Sequence, residues 1–161
     1  MWKALMDVLG KLDLAYQDIL ALGEKKRNTL VSVDMKGLEA ILEEERELAH
    51  EVQILEKQRK GILEQLARTE RGVRSDMKLA EMCALAPSRA IELRLQALHK
   101  GLDERIRKAQ AQSGDNAILA QAALDAVRFH LNRVGGATVD PTYGKSGQGG
   151  VSHKKNFDFK A

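Results

Sequence analysis

From residue 38 to residue 73 the apolar side chains return about every 3.5 residues, the interval at which α-helices wind around one another and one that no strand can use. Leu38, Ile41, Leu48, Val52, Leu55, Ile62, Leu66 and Val73 keep one line, with Glu45, Arg59 and Thr69 standing in it. A second seam holds the same period through Ile91, Leu95, Leu98, Leu102, Ile106, Ala109, Ser113, Asn116, Ala120, Leu124, Val127, Leu131 and Val134. Before both, Leu5, Val8, Leu12, Ala15, Ile19, Leu22 and Leu30 mark one helix face, broken only by Lys26. With two prolines in 161 residues, little stops these stripes from forming long helices.

The ends of the helices are marked by polar residues, proline and glycine. Ser32 and Asp34 break the first stripe, and Asp34 is placed to cap a second helix across a turn of two or three residues, which predicts an antiparallel hairpin. Acidic residues gather at the start of the second helix (Glu39, Glu43, Glu44, Glu45, Glu47, Glu51) and basic ones at its end (Arg68, Arg71, Arg74), matching the helix dipole. Ser75 can cap a brief helix, "SDMKLAEMCALA", that Pro87 ends. From Ser88 the third seam passes "SGDN" at 113–116 without losing phase, predicting one helix over 88–134, bent at most at Gly114. "GG" at 135–136 terminates it. The three long helices would measure roughly 45, 55 and 70 Å, leaving the ends of the longest incompletely covered. The fold class is therefore all-α: an elongated, coiled-coil-like antiparallel bundle of three long helices and one short one over 1–134. The segment 135–161 holds six of the 13 glycines and no helical period, so it reads as a flexible tail without regular structure. Yet it also carries Tyr143, Phe157 and Phe159, half of the aromatic rings.

Chemistry is hard to find. The 26 basic and 23 acidic residues are mixed in sign, which gives little reason to expect nucleic-acid binding. No apolar run reaches the ~18 residues needed to cross a bilayer, and Lys3, Asp7 and Lys11 break the first segment in a way unlike a signal peptide. One cysteine, Cys83, in the apolar stretch "EMCALA", cannot form an internal disulfide and reads as a buried thiol in a reducing, cytoplasmic setting. "PTYGKSG" at 141–147 ends like a phosphate-binding loop, but the earlier glycine of that motif is Val139, and neither a strand run nor a helical period flanks it. Glu47 and His50 have the Glu-x-x-His spacing of di-iron bundles with no second copy. No metal, cofactor or enzymatic activity is expected.

The end of the third long helix is more informative. At 100° per residue, Ile118, Ala122 and Phe129 fall together, nearly opposite the seam residues Ala120, Leu124, Val127, Leu131 and Val134. A helix apolar on two faces buries both or offers one to a partner. Here the second face either meets another part of the chain, such as the 75–86 helix, or receives a partner helix. Glu45 and Arg59 either sit at partly solvated points of the bundle or fix its register.

Three stretches in this order, "LVSVDMKGLEAILEEERELAHEVQILEKQR", "DNAILAQAALDAVRFHLNRV" and "TYGKSGQ", resemble the FlgN family of flagellar export chaperones over about residues 5–148. Asn116 and Leu119 match an Asn-x-x-Leu step of that family; Tyr143, Gly144, Gly147 and Gln148 match its tail. The resemblance implies a cytoplasmic chaperone, without enzymatic activity, that binds C-terminal segments of hook–filament junction proteins, prevents their early assembly and delivers them to the flagellar type III export apparatus. The expected binding residues are Asn116, Ile118, Leu119, Ala122, Phe129 and Val134 on the helix, with Tyr143, Gly144, Gly147, Phe157 and Phe159 in the tail. No nucleic acid and no membrane insertion is implied. The residues alone also allow a structural coiled-coil adaptor that holds no client.

Overall fold

The computed structural model describes residues 1–139 and 151–153. Among them are four helices, α1 (Trp2–Ser32), α2 (Met35–Thr69), α3 (Leu79–Cys83) and α4 (Arg89–Gly135), and two short strands, β1 (Ala137–Val139) and β2 (Val151–His153). The chain divides inside α4 into two compact units, Met1–Asn116 and Ala117–Ala161.

In the first unit, α1 closes with Val33 in the left-handed region (φ 54°, ψ 37°). The Val33 N–H bonds Leu30 O, and the Asp34 N–H bonds Thr29 O at 2.9 Å. Asp34 then caps α2 as expected, its Oδ1 accepting from the Gly37 N–H at 3.0 Å. A Cβ on Gly37 would lie 2.3 Å from Asp34 Oδ2, so a larger residue there would have to turn the capping carboxylate aside. With only Val33 and Asp34 between the helices, α2 turns back on α1.

Within this unit α4 runs parallel to α1. Arg105 pairs with Asp13; seven residues on, Gln112 Nε2 donates to Leu20 O at 3.1 Å; a turn later, Asn116 Nδ2 donates to Gly23 O at 2.8 Å. The partners advance together along both helices. The core gathers Trp2, Leu5, Val8, Leu9, Leu12 and Ala15 of α1, Leu55, Leu63 and Leu66 of α2, Met82 and Cys83 of α3, and Leu95 and Leu102 of α4. Leu5, Leu12, Leu66, Met82 and Leu95 are completely buried, and each such side chain contributes about 1.5–3 kcal/mol relative to exposure. Two of the side chains that break the seams of α1 and α2 face each other: Lys26 Nζ lies 2.7 Å from Glu45 Oε2. Arg59 is instead held by Glu56 on its own helix, also at 2.7 Å.

Four expectations are corrected. The second helix stops at Thr69 rather than carrying its seam to Val73, because Glu70 turns extended (φ −111°, ψ 128°), and Gly72 beyond it is left-handed (φ 85°); Val73 still reaches the core, from a loop. Arg71 and Arg74 therefore lie beyond α2, only Arg68 occupies its last turn, and no acidic residue occupies its first. The brief helix does not begin at Ser75: it is Leu79–Cys83, and the Glu81 carboxylate accepts from the Lys78 N–H at 3.4 Å. Packing of Met82 and Cys83 into the core decides where this turn forms. In the segment expected to lack regular structure, β1 pairs antiparallel with β2, in the register Ala137↔His153, Thr138↔Ser152 and Val139↔Val151.

The expected continuity of the last helix holds, since α4 passes through Ser113–Asn116 unbroken. Ser88 starts it, with Oγ accepting from the Ile91 N–H at 3.4 Å. No helix among the described residues is long and apolar enough to cross a membrane.

Candidate partner-binding surface

The last turns of α4 carry the exposed apolar residues that the sequence pattern singles out. Ile118 is 71% exposed and Phe129 62%, and Ala122 between them is exposed as well. Eleven residues separate the two large side chains, so the strip runs about 16 Å along the helix. The Phe129 ring stands edge-on to its neighbour His130 at 5.8 Å between centroids. On the other side of the helix Leu119, Ala120, Ala123 and Val127 are half-buried, while Leu124, Leu131 and Val134 are exposed. Both faces of this segment thus offer apolar surface.

Leu124, Leu131 and Val134 are the large seam residues that the periodicity misplaced. Their phase assigns them to the seam, yet they stand exposed. A hydrophobic period marks one face of a helix without saying what covers it.

Asn116 differs from the rest of the expected set. It is 4% exposed, with its amide committed to Gly23 O and its Oδ1 buried without a donor among the described residues, so it holds α4 on α1. Tyr143, Gly144, Gly147, Gln148, Phe157 and Phe159 lie outside the described residues, as does Lys145–Ser146 of the phosphate-loop-like stretch.

The remaining candidates for chemistry are dispersed. Glu47 and His50 are exposed on α2, and among the described residues no group of three or more His, Cys, Asp or Glu side chains converges on a point. Cys83 is buried, and its thiol is pushed above the ordinary range by that burial, with the Glu92 carboxylate adding to the effect; the neutral thiol is the stable form.

In this predominantly helical fold the end of α4 leaves Ile118, Phe129, Leu131 and Val134 exposed, a surface on which a partner helix can pack. The FlgN protein family model matches residues 1–149, and the chain belongs to the FlgN family. No curated protein and no solved structure matches the chain.

Proposed function

We propose that this protein is a cytoplasmic flagellar export chaperone that binds C-terminal segments of hook–filament junction proteins, keeps them from assembling early and hands them to the type III export apparatus. Membership of the FlgN family suggests the chaperone role. The exposed strip of Ile118, Ala122 and Phe129 at the end of α4 is the observation that supports a holding surface there. A terminal segment that assembles into a filament must present apolar residues in a helix or extended strand. A chaperone for it needs a matching apolar face and an affinity low enough to release. Residues 135–161 are the second part of this reading, an arm whose Tyr143, Phe157 and Phe159 close over the client. Ordering such an arm on binding offsets part of the contact energy, which favours release at the export gate.

Calorimetric titration of the full chain with a synthetic C-terminal peptide of a junction protein tests the reading. Binding in the micromolar range or tighter is expected. No heat at any accessible concentration, with the helical signal of the protein intact, would leave the coiled-coil adaptor as the better description.

A further inference from the structure

A second surface lies in the first unit, on the groove between α1 and α4. Its floor is Met6, Gly10 and Leu14 of α1 with Leu98 of α4, and it encloses about 700 Å³. Leu14 is 59% exposed. The groove continues along the same two helices past Ala97 and Gly101. Its rim is basic: Lys3, Lys11 and Arg94 stand against a single carboxylate, Asp7. No ion pair or hydrogen bond engages these three cations among the described residues. The groove on the other side of α1, against α2, has the reverse character, with Asp18, Glu44, Glu47 and Glu51 around one cation, Lys25.

Gly10 adds an independent observation. Glycine weakens a helix relative to alanine, and Gly23 leaves room for the Gln112 amide, which a Cβ would push aside. Among the described residues nothing lies within 4 Å of a Cβ built on Gly10, so no packing among them accounts for it. Gly61 and Gly114 are open in the same way, but they lie away from this groove. A bare point on a groove floor lets a second helix approach closely. Met6, Gly10 and Leu14 fall at i, i+4 and i+8, and Arg94, Leu98, Gly101 and Arg105 fall at i, i+4, i+7 and i+11 on the parallel helix, so each set lines one helix face. Together they form a strip about three turns long that one further helix can occupy.

We propose that the α1–α4 groove binds an acidic amphipathic helix of a partner protein, which lays its apolar face over Gly10 and Leu14 and its carboxylates against Lys3, Lys11 and Arg94. The charge pattern selects this occupant: an acidic helix is drawn to this groove and repelled by the acidic one across α1. The surface is separate from the α4 strip assigned to the exported client, and its occupancy does not depend on that assignment.

The test uses two synthetic helical peptides with the same leucine face, one flanked by glutamates and the other by lysines, titrated into the full chain and followed through backbone amide shifts. The glutamate peptide should bind about tenfold or more tightly than the lysine peptide, weaken as salt is raised, and move the Gly10 and Gly101 amides. Replacing both Lys11 and Arg94 by Glu should reverse the preference. Gly10→Met should raise or preserve the melting midpoint, since the added side chain meets no neighbour, while abolishing binding. Equal binding of the two peptides, no binding by either, or shifts confined to 117–135 would overturn the proposal. So would self-association of the protein that Leu14→Glu dissolves, or binding to anionic phospholipid vesicles with no response to the glutamate peptide.

Discussion

Gly23 sits opposite Gln112 with no room for a methyl group: a Cβ there would lie 2.0 Å from Gln112 Oε1. Gly23→Ala therefore displaces Gln112 from Leu20 O, and Asn116→Ala removes the donor to Gly23 O; each should cost about 1 kcal/mol, read as a lower midpoint in a urea melt. Lys26 and Glu45 behave differently because they answer each other across α1 and α2, both partly shielded from water. Removing one alone strands the other, whereas Lys26→Met combined with Glu45→Leu should recover at least the wild-type stability; a double variant weaker than either single one would contradict this. Val33 is a β-branched residue held at φ 54°, a conformation that costs about 1 kcal/mol or more, so Val33→Asn should stabilise the turn by a comparable amount. Cys83 fixes a pH dependence. Its thiol is raised in the folded protein above the ordinary value of 9.0, so the unfolded chain loses that proton first, and this contribution to stability fades as pH climbs past that value. Cys83→Ala should flatten the alkaline slope of a series of urea melts; parallel slopes would mean the thiol does not contribute.

At the scale of the elements, much was legible in the sequence. The stripe of α1, the Asp34 cap and the passage of α4 through Ser113–Asn116 all follow from local signals: hydrophobic period, a capping carboxylate, and phase kept across a glycine. What the sequence concealed was set by contacts between elements. Val73 keeps the phase of the α2 seam because the core needs an apolar residue there, and the period cannot reveal that the backbone has already left the helix at Glu70. Ser75 has a good capping side chain, yet α3 forms where Met82 and Cys83 can be buried. In the candidate site, Ile118, Ala122 and Phe129 were recognisable from their angle on the helix, while Asn116 looked like part of a surface and is buried against α1. An asparagine in an apolar seam gives no local sign of whether it faces a partner or the backbone of a neighbouring helix. The strip itself should tolerate a charge: Phe129→Asp is expected to shift the melting midpoint little, since the ring is mostly exposed, and to weaken client binding about tenfold or more. A large fall in stability would show instead that Phe129 supports the fold.

At the scale of the whole molecule the roles are divided. The core of α1, α2, α3 and the first part of α4 supplies stability, and the last turns of α4 present apolar surface. Removing residues 135–161 should therefore leave the helical signal and the melting midpoint nearly unchanged while lowering client affinity; unfolding on truncation would make that segment structural. The division is the central claim, and hydrogen–deuterium exchange of the full chain with and without a junction-protein C-terminal peptide tests it most directly. Added peptide should slow exchange across residues 117–135 and leave the α1–α2 hairpin as it was. Protection confined to α1 and α2, with 117–135 unaffected, would contradict it.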